Sequence, residues 1–126
     1  MDQPSPHTVL LVDDDALVRW TTGQMVEEAG FIVLLVENAD AALKVFEARE
    51  VDILLTDVHM PGSMDGFRLA QVVHERWPKV ELIIVSGRLR PLQADIPDDG
   101  IFICKPFSEA ELVNALTEKA RLSTKH

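Results

Sequence analysis

The chain has 126 residues, one domain's worth against a typical domain of about 150, and its 47% of hydrophobic residues exclude a disordered chain. Acidic residues number 21 and basic ones 12, a net charge of −9 that argues against nucleic acid and an anionic membrane as partners, since either requires a basic patch. The one cysteine, Cys104, has no internal partner for a disulfide and points to a reducing, cytoplasmic setting.

Residues 1–7, with Pro4 and Pro6, read as a flexible N-terminal tail. No basic residue precedes Arg19, and the longest apolar run, Phe31 to Val36, fits neither a signal peptide nor a membrane span of about 20 residues. A single domain is expected over 8–122, with 123–126 a short tail and no output domain.

Five short apolar runs follow in order: Val9 to Val12, Ile32 to Val36, Ile53 to Leu55, Leu82 to Val85 and Ile101 to Cys104. They are continuous rather than alternating, as expected of parallel strands covered on both faces. Helical patterns lie between them. The first covers about 16–29, with Val18, Met25, Val26 and Ala29 near one face and Gly30 as its stop. In the second, Asn38 caps a stripe of Ala39, Ala42, Leu43 and Phe46. The third runs from about Gly66 to Trp77, with Leu69, Val72 and Val73 inward and Pro78 closing it. The last opens on Ser108-Glu109-Ala110-Glu111, a capping box, and carries Leu112, Ala115 and Leu116. The crossover 87–100 breaks the pattern, because Pro91 and Pro97 leave only 92–96 between them, little more than one helical turn.

This alternation implies an α/β fold: a flavodoxin-like, doubly wound, five-stranded parallel sheet of order 2-1-3-4-5, with the fourth helix shortened or replaced by a loop. Ligands of such sheets bind beyond the carboxyl ends of the strands. The residues following the runs are therefore informative: Asp13, Asp14 and Asp15 after the first, Asp57 after the third, Ser86 and Gly87 after the fourth, Lys105 and Pro106 after the fifth. Clustered carboxylates repel one another and either take up protons or bind a cation. An all-oxygen set with few ligands suits Mg²⁺. A lysine and a hydroxyl beside it fit phosphoryl transfer, in which a carboxylate can also act as the nucleophile.

The motifs Val12-Asp13-Asp14-Asp15, Leu55-Thr56-Asp57-Val58-His59-Met60-Pro61, Val85-Ser86-Gly87 and Cys104-Lys105-Pro106-Phe107 together resemble the receiver domain of two-component response regulators, over about residues 8–122. The resemblance implies that Asp57 accepts a phosphoryl group from a phosphohistidine. It makes Asp14 and Asp57 direct Mg²⁺ ligands, Asp13 a ligand through water, and the His59 carbonyl a further one. Lys105 and Ser86 would then bind the phosphoryl oxygens, and Phe102 would match the aromatic switch. His59 and Arg88 stand where the family tunes the phosphorylated lifetime. The implied partners are a histidine kinase or a histidine phosphotransfer protein and a downstream protein. Catalysis would be limited to self-phosphorylation and self-dephosphorylation, with output by protein contact or phosphorelay.

The chain departs from the family pattern in three places. The loop Met60 to Gly66 holds one extra residue, Ser86 is followed by Gly87 rather than alanine, and the fourth helix is shortened. Three other readings stand beside the first: a receiver-shaped interaction module that does not phosphorylate, a hydrolase of the haloacid dehalogenase type, and a flavodoxin-like flavin binder. The hydrolase wants a second acid where His59 stands, and three aspartates in the first loop would repel a flavin phosphate. Cys104 is expected to be a small buried hydrophobe, Trp20 and Trp77 to pack on helix faces, and His7, His74 and His126 to be exposed.

Overall fold

The structure, a computed structural model, describes residues 6–60, 62, 64–87 and 100–122. In chain order these form β1 (Thr8–Val12), α1 (Ala16–Glu28), β2 (Ile32–Val36), α2 (Ala39–Ala48), β3 (Ile53–Asp57), α3 (Gly66–Arg76), β4 (Glu81–Ser86), β5 (Ile101–Cys104) and α4 (Glu109–Leu122). The strands make one parallel sheet of order β2-β1-β3-β4-β5, the doubly wound architecture expected from the sequence. The readings made for the turn within 92–96 and for Arg88 fall outside the described residues, as do those for 1–5, Pro61, Ser63 and 123–126.

Continuous apolar runs feed two cores, because successive side chains point to opposite faces of the sheet. Leu10, Val12, Leu54, Leu82 and Ile84 meet Ala42, Phe46, Leu69 and Val73 of α2 and α3 on one face. Val9, Leu11, Ile53, Leu55, Ile83 and Val85 meet Val26, Leu112 and Leu116 of α1 and α4 on the other.

The helix ends follow the sequence signals. Asp15, Asn38 and Asp65 cap α1, α2 and α3 with side-chain oxygens. Ser108 and Glu111 bond each other's backbone N–H at 3.1 Å, a reciprocal capping box. Gly30, at φ 99°, ends α1: its N–H donates to Glu27 and the Phe31 N–H to Val26, as in a Schellman motif. Trp77 stacks on Phe46 with ring centroids 5.1 Å apart and joins α2 to α3. At the amino ends of the strands, Asp52 accepts the Thr8 N–H at 2.7 Å, and Lys119 of α4 reaches Glu81 of β4 at 3.2 Å.

Several expectations are corrected. β2 is an edge strand covered on neither face in full, with Ile32 and Leu35 exposed, because a continuous apolar run does not reveal whether its strand has one neighbour or two. Cys104 is exposed at the end of the other edge strand. Trp20 is 59% exposed, while Val72, His7 and His74 are partly covered. β3 and β4 each run further than their apolar cores, so Asp57 and Ser86 are the last strand residues rather than the first loop residues; Asp57 pairs with Val85.

Candidate functional site

The carboxyl ends of β1, β3 and β5 meet beside the point where the chain order of the strands reverses. A shallow depression of about 380 Å³ lies there, lined by Asp13, Asp14, Asp15, Asp57, His59, Gly87 and Lys105 among others. Each acidic group arrives by a different local device. Asp13 extends β1 by one hydrogen bond, from its N–H to the Val36 carbonyl. The turn that follows is closed by its own carboxylate, whose Oδ1 accepts the Asp15 N–H at 2.9 Å, and Arg19 donates to the Asp13 carbonyl at 2.7 Å. Asp57 is held by the sheet itself, with its carbonyl accepting from the Thr56 hydroxyl at 2.9 Å.

The three consecutive aspartates do different work. Asp15 turns toward the helix and accepts the N–H groups of Leu17 and Val18, both at 3.0 Å. Asp13, Asp14 and Asp57 turn toward each other, each offering a carboxylate oxygen within 4.8 Å of the rest. Lys105, whose N–H bonds the Ser86 carbonyl and whose bond to Pro106 is cis, brings its Nζ to 3.3 Å from Asp57 Oδ2 and 3.6 Å from Asp13 Oδ2. Three carboxylates against one ammonium leave two negative charges. Burial, joined by repulsion from Asp57 and Asp14, raises the Asp13 carboxyl above its ordinary value, against the lowering pull of the Asp15 N–H and Lys105.

The other sequence candidates fall around this cluster. Ser86 is buried at the end of β4, and His59 lines the depression with an exposed side chain. Phe102 is half-buried against the α2–α3 core. Strand alternation puts Ser86 and Phe102 on the same face of neighbouring strands, since Ser86 pairs with Cys104 and Ile84 with Phe102.

Two residues support the site in ways the sequence pattern does not announce. Arg19 supports the Asp13 turn from within α1, with no spacing rule to announce it. Gly66 opens α3 so close to β3 that a Cβ there would run into the Asp57 carbonyl and Val58 Cα; its place in a Met-Asp-Gly sequence was the available signal. A larger cleft of about 510 Å³, lined by Phe46, Val51, Trp77 and Val80 with Arg49 and Lys79, lies at the opposite end of the sheet. The converging acidic cluster is not part of it.

The donor set fits a small hard cation: oxygens only, with the Asp13 carboxylate held by a backbone N–H, the Asp57 carboxylate held by the Lys105 ammonium, and a third, Asp14, facing solvent where water can complete the shell. Among the described residues, no helix is long and apolar enough to cross a membrane.

Over residues 9–117 the sequence matches the family described as the response regulator receiver domain. The response regulator receiver protein CpdR of Brucella abortus is 32% identical over 112 residues, covering 86% of this chain and 92% of that protein. The DNA-binding transcriptional regulator NtrC of Escherichia coli K12 is 34% identical over 116 residues, which are 89% of this chain. The match spans only 24% of NtrC's own length. Among solved structures, a response regulator receiver protein from Sinorhizobium medicae superposes with a TM-score of 0.85 at 27% identity, covering 94% of this chain and 98% of that one.

Proposed function

The chain belongs to the response regulator receiver domain family of two-component systems, and on that footing we propose that it is a phosphoacceptor switch whose acceptor is Asp57. One observation supports this above the others: Lys105 Nζ stands between Asp57 and Asp13, at 3.3 and 3.6 Å, in an acidic cluster that opens to solvent.

In this reading a carboxylate oxygen of Asp57 attacks the phosphorus of a phosphohistidine. The O–P bond forms as the N–P bond breaks, and the imidazole leaves with the electron pair and takes up a proton. Lys105 stays near Asp57 and pairs with the phosphoryl oxygens, replacing part of the attraction that the acceptor loses. The Ser86 hydroxyl bonds another of these oxygens, and Phe102, on the same face of the sheet, follows its movement. Asp13, Asp14, Asp57 and the His59 carbonyl would hold Mg²⁺, which when bound neutralises charge on the transferring group. The donor is a histidine kinase or histidine phosphotransfer protein, the output is protein contact or onward relay, and the setting is the cytoplasm. The acceptor is the protein's own carboxylate, and catalysis goes no further than self-phosphorylation and self-dephosphorylation.

Incubation with a phosphorylated histidine phosphotransfer protein tests this. Transfer of label to the wild-type chain, its loss in chelator and its absence in Asp57→Asn support the reading. Undiminished label in Asp57→Asn overturns it.

A further inference from the structure

The large apolar side chains that stay exposed are not scattered. Of five among the described residues, Leu17, Trp20, Ile32 and Leu35 lie on α1 and β2, and only Leu122 lies elsewhere. β2 pairs with β1 alone and forms one edge of the sheet. Ile32 donates its N–H to the His7 carbonyl, and the Val36 carbonyl accepts from Asp13, so the even-numbered residues of β2 spend their backbone groups on β1. Val33 and Leu35, at the alternate positions, turn theirs to the open edge. Among the described residues nothing pairs with that edge. Natural sheets blunt such edges with charge, proline, a bulge or a covering element. The segment Phe31-Ile32-Val33-Leu34-Leu35-Val36 carries neither a charge nor a proline.

We propose that a second copy of this chain covers this edge, with β2 lying antiparallel to β2 across a two-fold axis at Leu34. What the edge demands selects the occupant. A row of free N–H and C=O groups is satisfied by an extended strand, and the side chains beside it are apolar on both faces of the sheet. β2 itself meets both demands. With Leu34 opposite Leu34 of the second copy, Val33 faces Leu35 of that copy and exchanges both backbone bonds with it. Ile32 then faces Val36, so the cross-strand pairs are apolar throughout. A slip of one residue would set Leu35 opposite Leu34, whose backbone groups β1 already uses, so odd positions must face odd ones; among such registers the two-fold at Leu34 is the one that pairs all five residues of β2.

The flanking helix agrees with this arrangement. Leu35 lies against Gly23 of α1, where a Cβ would come within 3.0 Å of it. Trp20 stands one turn earlier on that helix, so Trp20 and Leu17 of both copies border the join. The contact is isologous and closes at two copies. Because the strands run antiparallel, the two Asp57 pockets point in opposite directions and both stay open. Each copy carries a net charge of −9 while the joining strand carries none, so salt screens the repulsion and leaves the apolar contact.

Sedimentation equilibrium of the full chain, from micromolar to millimolar and at low and high salt, tests the proposal together with amide exchange. The expected result is a monomer–dimer equilibrium at twice the monomer mass, shifted toward dimer by salt. The Val33 and Leu35 amides gain protection as concentration rises. Leu35→Lys and Ile32→Lys each lose the dimer while keeping the wild-type circular dichroism; should either fail to fold, exchange on the wild-type chain decides. A chain that stays monomeric at millimolar concentration in high salt would assign the edge to a strand of another protein and overturn the proposal. So would a dimer that salt dissociates, a dimer that survives in folded Leu35→Lys, open-ended polymers, or exchange at Val33 and Leu35 that ignores concentration.

Discussion

Asp13, Asp14 and Asp57 share one ammonium group, and the strain of that arrangement falls on Asp13, which is 4% exposed and raised above its ordinary value by burial. A carboxyl raised in the folded state binds its proton more tightly there than in the unfolded chain. Its contribution to stability is therefore fully present below the unfolded value of 3.8 and is lost as pH rises through the folded value. At neutral pH the charge opposes folding. Asp13→Asn keeps an oxygen for the Asp15 N–H, so in chelator it should raise the melting temperature at pH 7, and the gain should shrink toward acid pH. Thermal unfolding across pH measures this, and a lower melting temperature at pH 7 would contradict it. At Gly66 the constraint is steric. An added methyl meets backbone of β3 and of Val58 rather than a flexible side chain. Gly66→Ala should cost about 1–3 kcal/mol in denaturant unfolding, the usual range for overpacking, and should slow labelling of the folded protein by displacing Asp57.

The elements were legible to different degrees, for physical reasons. Helix ends were readable because a cap is a local bargain between a side chain and the nearest N–H groups. Ser108 and Glu111 form the box their spacing implies, and Ser108→Ala should lower stability by about 1 kcal/mol, measured by chemical denaturation. Strand positions were readable because each run must fill two cores. Strand surroundings were not. The run Ile32 to Val36 is as apolar as Val9 to Val12, yet the second is fully buried between two neighbours and the first has one. Cys104 was misread for the same reason, since it closes an edge strand. The two tryptophans, both expected to pack on helix faces, part company because Trp77 has Phe46 to stack on and Trp20 is 59% exposed on α1.

At the scale of the molecule, the doubly wound order places residues far apart in the chain at one end of the sheet. Asp13, Asp57 and Lys105 converge because β1, β3 and β5 run the same way, and their motifs taken together made that end readable. The division of labour among the three aspartates was readable only through the family resemblance, which gave Asp13 and Asp14 to the cluster; spacing alone does not say that Asp15 caps α1. The fastening at the other end was also hidden. Lys119 is buried against Glu81, with 3% of its side chain exposed, and nothing in an amphipathic helix pattern marks a lysine as a core residue. Lys119→Ala removes one partner of a buried pair and should cost about 3 kcal/mol in equilibrium unfolding while leaving the Asp57 pocket unchanged.

The most direct measurement of the central claim is intact-mass analysis of the chain after incubation with a small acyl phosphate, with the modified peptide mapped. The account predicts one added phosphoryl group, located on Asp57, formed with Mg²⁺ and lost with chelator. A chain that takes up no phosphoryl group with Mg²⁺ present, or takes it up at a residue other than Asp57, would contradict it.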